Sequence, residues 1–271
     1  MQQQSASGIA QMPRPEAKAN AQLRESALKE QMSPNRNAPR LLGAAFLLVA
    51  LTTLGSGLLL TAVVGSGGIS SILVNISNRA MLLRINIVAD LVASVEIIVL
   101  AVLLYIVLSK QNKIVALVAL GLWLVEAIAL AVAKIGALAL IPLSAEFVKA
   151  GAPGNSYYQG LGEFLYNGVV TQLGVTTHMF FYCTGGLLWY FLFFKSRYVP
   201  RAISLFGLGA VSVALVGVVL QLLGYDVSMY VALPLLPFEL TIGTWLALRG
   251  INEGSRNQVS RGPVAWPEAS A

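Results

Sequence analysis

RINIVADLVASVEIIVLAVLLYIVLSKQNKIVALVALGLWLVEAIALAVAK, residues 84–134, decides the fold. Two long apolar runs flank the polar turn Ser109-Lys110-Gln111-Asn112-Lys113. Each run is long enough, at about 1.5 Å per residue, to cross the roughly 30 Å hydrocarbon layer of a bilayer as a helix. A five-residue connection makes the two helices antiparallel neighbours. The same stretch carries Arg84, Asp90, Glu96, Glu126 and Lys134. Ionisable groups are costly inside a membrane, so they face a protein interior or a wet cavity.

The whole chain agrees with this reading. Of its 271 residues, 56% are hydrophobic and only 11% charged, with a mean hydropathy of +0.74. A soluble domain carries roughly 25% charged residues. The fold class expected is therefore an all-α integral membrane protein with six transmembrane helices, at 41–63, 85–108, 114–141, 175–194, 202–223 and 229–248. Residues 65–80 read as a loop, and Pro142 as the end of the third helix. Residues 143–174 read as a surface connection with one short helix. Three domains follow: a disordered tail over 1–40, a six-helix domain over 41–250, and a polar tail over 251–271. The first tail has too little apolar surface to form a core.

Charge sets the expected orientation. Fourteen Lys and Arg fall in the two tails and in the turns at 109–113 and 195–201, while Arg79, Arg84 and Lys149 fall on the other side. The positive-inside rule then puts both termini in the cytoplasm, with the chain in the cytoplasmic membrane of a cell. The net charge of +6 has this origin and does not indicate nucleic acid, for which no basic, aromatic-rich module exists. The lone cysteine, Cys183, excludes an internal disulfide and a multi-cysteine zinc site.

Counting depth from each cytoplasmic end sorts the buried polar groups into two layers. Glu96 and Glu126 both fall about 18 Å in, and Asp90 and Lys134 both fall about 27–30 Å in. Asn86 and Asp90 are four apart and share one helix face. Asp90 and Lys134, joined by Arg84, are expected to form an outer ion pair. Glu96, Glu126 and Glu239, with His178 nearby, form an expected intramembrane polar cluster without a cation of its own. Pro234 and Pro237 are expected to kink or unwind the sixth helix just before Glu239. No motif for a catalytic elbow, a zinc site or a phosphate loop occurs, so no catalytic residue, metal or cofactor is assigned and the chain does not read as an enzyme. Two readings of the cluster remain open. One is the binding or movement of a small solute or ion through an outward-facing polar cavity. The other is a non-catalytic accessory or sensor protein whose buried charges are structural. The oligomeric state is not legible.

Several short motifs keep a fixed order: Leu82-Leu83-Arg84 with Asp90, Leu124-Val125-Glu126-Ala127, His178, Ser196-Arg197-Tyr198-Val199-Pro200-Arg201, and Pro237-Phe238-Glu239-Leu240 with Gly243 and Trp245. In these the chain resembles a bacterial family of membrane proteins known only as domain of unknown function 4386. The resemblance runs over about 41–250 and implies six helices but no activity. It also implies an arginine in many relatives where Trp123 stands here, which would alter the charge partner of Glu126.

Overall fold

The computed structural model describes residues 38–251. Apart from residues 38–40 and 251, the two expected tails lie outside the described residues. The described elements are all helical: α1 (Ala38–Val64), α2 (Ile69–Asn78), α3 (Ala80–Leu108), α4 (Lys113–Lys149), α5 (Tyr157–Glu163), a π-helix (Phe164–Thr177), α6 (His178–Ser196), α7 (Arg201–Leu222), a 3-10 turn (Met229–Ala232) and α8 (Leu235–Arg249).

Five helices are long and apolar enough to cross a membrane: Ala38–Val64, Ala80–Leu108, Lys113–Lys149, Arg201–Leu222 and Tyr230–Arg249. Their outward faces expose large apolar side chains, among them Leu58, Val88, Val95, Ile114 and Ile135. Contiguous apolar surface of that size marks a membrane or interaction face. The fourth expected span, now α6, is not one of the five. His178, Tyr182 and Tyr190, with Lys195 near its end, dilute its apolar run.

The long helices pack in a closed ring, α1–α3–α4–α6–α7–α8 and back to α1. Antiparallel contacts set the registers. Gly43 of α1 meets α8, where an added Cβ would lie 2.2 Å from the backbone nitrogen of Ala247 and 2.7 Å from the carbonyl oxygen of Gly243. Only glycine permits that approach. Gly185 of α6 similarly makes room for the indole of Trp123 on α4, at 2.4 Å from its would-be Cβ. Asn112 starts α4 by accepting from the amides of Ile114 and Val115, so the hairpin turn is a proper N-cap.

Four expectations are corrected. The supposed loop at 65–80 contains α2, because Ile69, Ile72, Leu73 and Ile76 form one apolar stripe that packs under α4. Gly65 and Gly67, both at positive φ, make the turn before it. Asn75 then donates to the carbonyl of Val64, satisfying the end of α1. Pro142 does not end α4, which continues to Lys149. The lost hydrogen bond is outweighed by burial of Leu140, Ile141, Leu143 and Phe147 in a common core. The connection 143–174 is mostly ordered helix and runs through the π-helix directly into α6. Finally, the break before Glu239 lies at the 3-10 turn. Pro237 sits in the first turn of α8, where a missing N–H costs nothing.

Two apolar cores result. The larger runs through Phe46, Ile97, Trp123, Trp189, Tyr190 and Phe238. The smaller gathers Val63, α2, Leu83, Ile87 and Leu140 beneath the π-helix. Polar residues fill the seam between them.

Candidate functional site

The seam begins with three helices. The Asp90 carboxylate receives the Lys134 ammonium at 2.5 Å on one oxygen and the Ser56 hydroxyl at 2.5 Å on the other. Asn86, one turn before Asp90, donates to the Ser56 hydroxyl at 2.6 Å and to its carbonyl at 2.9 Å. Asp90 is 9% exposed and Lys134 6%. Each charge therefore has a close partner, which a buried charge requires. Arg84 stands on the exposed face of α3, outside this pair. It is two positions from Asn86, and a 200° rotation turns it away from the interior.

The next group lies between α4, α6 and α8. Glu126, 2% exposed, places one carboxylate oxygen 4.0 Å from Nδ1 of His178, beyond hydrogen-bond distance. The second oxygen of Glu126 and Nδ1 of His178 are both buried without a hydrogen-bond partner. Glu239 accepts from the Tyr182 hydroxyl at 2.5 Å, and the hydroxyls of Tyr182 and Tyr190 are 3.2 Å apart. Glu126 and Glu239 are close enough for their charges to act on each other, and His178 is equally within reach of the Asp90–Lys134 pair. Thus buried Glu126 has partly buried His178 beside it, and partly buried Glu239 within electrostatic reach.

Glu96 does not join them. It turns to α1, where Thr52 donates to it at 3.2 Å, and its other oxygen is buried and unpartnered. Residue counting puts it level with Glu126, but six residues from Asp90 place it about 120° around α3. Depth is legible from residue counting; azimuth relative to neighbours is not.

Trp123 sits where the family resemblance implies an arginine. It is 1% exposed, donates its indole N–H to the Tyr182 carbonyl at 3.1 Å, and stacks on the Tyr182 ring at 5.7 Å between centroids. It serves as a rigid apolar wall beside Glu126 and brings no cation.

The π-helix determines where His178 points. The His178 amide reaches the carbonyl of Leu173, five residues back, and the Thr177 hydroxyl reaches that of Gln172. π-helical turns are rare, usually single, and concentrate at functional sites; this one spans 14 residues and ends at the histidine.

Thr52, Ser56, Tyr182 and Tyr190 were not singled out by sequence reading. A signal existed: His178, Tyr182 and Tyr190 recur at multiples of four, and Thr52 and Ser56 are four apart. Among the described residues no group of three His, Cys, Asp or Glu is placed to hold a metal ion. A cavity of ≈ 500 Å³ lies on α8 along Leu240, Thr241, Thr244, Trp245, Leu248 and Arg249, and the buried acidic residues do not line it.

No curated protein and no solved structure matches the chain. The family model described as Domain of unknown function (DUF4386) does match, over residues 41–250, and the chain belongs to that family.

Proposed function

We propose that this is a six-span protein of the cytoplasmic membrane, both termini in the cytoplasm, that binds or moves a small solute or ion at Glu126, His178 and Glu239. The ring supports six spans. Its helix α6 lies between α4 and α7 along its length, and its 19 residues reach about 28 Å. The two ends of the described chain also meet, an added Cβ on Gly250 lying 4.0 Å from Pro39.

One observation carries the functional reading. Glu126 and His178 stand side by side, one carboxylate oxygen 4.0 Å from Nδ1, yet Nδ1 and the second oxygen are both buried and unpartnered. Native interiors satisfy nearly all such atoms, and each orphan costs about 1–3 kcal/mol. A site built for a guest that completes these bonds accounts for the exception. The His178 side chain is 18% exposed and that of Glu126 3%, which supports access from the histidine side.

The Asp90–Lys134–Ser56–Asn86 network favours a second reading for that part alone. Its members satisfy one another, which suits a structural lock between α1, α3 and α4 and an accessory or sensor protein.

Flux of ions and small solutes into proteoliposomes, under imposed gradients, tests the first reading. Uptake that Glu126→Gln abolishes is expected; uptake equal to empty vesicles throughout leaves only the second reading. Orientation is checked in intact cells with an impermeant thiol reagent on a Cys183→Ser background. Ser66→Cys should label and Lys110→Cys should not.

A further inference from the structure

We propose that the species handled by this site is the proton, passed from His178 to Glu126 and on to Glu239. This rests on the reading of Glu126, His178 and Glu239 as a working site and deepens it.

The aromatic packing beside the row favours a very small guest. Trp123 stacks on Tyr182 and meets Trp189 edge-on at 6.2 Å, while Tyr190 meets Phe238 at 4.5 Å. Trp123, Trp189, Tyr190 and Phe238 are all within 1% of full burial. The would-be Cβ of Gly185 lies 2.4 Å from Trp123, so the packing has no slack for one methyl group. A solute or hydrated cation has no path between these rings. A proton needs only hydrogen-bonding atoms in sequence.

Those atoms are present. His178, whose side chain is more exposed than that of Glu126, takes up the proton first. Its Nδ1, which has no hydrogen-bond partner, lies 4.0 Å from one Glu126 oxygen, and the other Glu126 oxygen is unpartnered as well. A small closure, or one water, completes that gap. Beyond it the Tyr182 ring stacks on Trp123, about one turn before Glu126, and the Tyr182 hydroxyl, beside that of Tyr190, holds the Glu239 carboxylate. The proton leaves Nδ1 of the imidazolium and bonds to a Glu126 oxygen, returning the ring to neutrality. It then leaves Glu126 for Glu239, restoring the Glu126 carboxylate. Tyr182 is a positioning residue that keeps Glu239 turned inward.

The charged groups around the row suit this step. On α4 and α3, Lys134 and Asp90 neutralise each other. Glu96 is turned to Thr52 on α1. Cys183 lies on α6 itself, and residues 202–222 of α7 contain no Asp, Glu, Lys, Arg or His. Among the described residues no Lys or Arg forms an ion pair with either carboxylate. Their moving partner is the histidine.

The full-length protein on a solid-supported membrane gives the test. A drop of external pH should produce a transient inward charge movement. Glu126→Gln and His178→Phe should each shrink it by at least about tenfold, whereas Glu96→Gln should leave it intact. Equal charge movement in Glu126→Gln overturns the proposal. Infrared difference spectra of the wild-type protein supply a second readout that needs no variant. The same pH drop must raise a protonated-carboxyl band, and its absence also overturns the proposal. Solute flux that depends on Glu126 without any proton movement defeats this inference and leaves the working site standing. Absence of both defeats the two together.

Discussion

Asp90 and Lys134 form a buried ion pair at 2.5 Å between α3 and α4, and Ser56 of α1 binds the carboxylate oxygen that the lysine leaves free. Three helices thus meet at one carboxylate, in the seam between two apolar cores. Losing either charge strands the other. Asp90→Asn or Lys134→Met alone should lower stability by about 3–5 kcal/mol. The two together should cost clearly less than their sum, because the pair is then removed whole. Thermal unfolding in detergent measures both, and strict additivity would count against direct coupling.

Gly43→Ala should separate α1 from α8. Its Cβ would sit 2.2 Å from the Ala247 backbone nitrogen, where no side chain can move aside. A loss of at least about 1–3 kcal/mol is expected, as for overpacked cores. Gly57→Ala is the control. An added Cβ there meets nothing within 4 Å, so the change should stabilise the helix by about 0.5–1 kcal/mol. Melting curves that rank the two variants the other way would contradict this packing.

Trp123→Phe keeps an aromatic ring but removes the donor to the Tyr182 carbonyl. With that acceptor buried, a cost of about 1–3 kcal/mol follows. The intrinsic fluorescence should also change, since one of the four tryptophans is lost and Trp189 then meets a smaller ring edge-on. An unchanged melting temperature would mean that the indole N–H contributes nothing.

Pro237→Ala should be close to neutral, within about 0.5 kcal/mol. The proline sits in the first turn of α8, where its lack of an N–H breaks no hydrogen bond. A large gain in stability would instead place a strained kink at Pro237.

The sequence alone determined the class of object and its main elements. Long apolar runs can only be buried in lipid or in each other, so the helices at 41–63, 85–108 and 202–223 were legible within about five residues, and α4 was legible at its start but not at its end. Residue counting also placed Asp90 level with Lys134. Tertiary structure decided everything that depends on a partner from elsewhere in the chain. Ile69–Asn78 is helical because its apolar stripe finds a second core, which no local composition reveals. Pro142 stays inside α4 for the same reason. Glu96 and Glu126, equal in depth, part company because helix rotation turns one to Thr52 and the other to His178. Ser56 becomes a ligand of Asp90 only once α1 lies against α3. Rise along a helix is set by the chain itself. Which face meets which neighbour is set by packing among helices distant in sequence, and the polar site is made of those meetings.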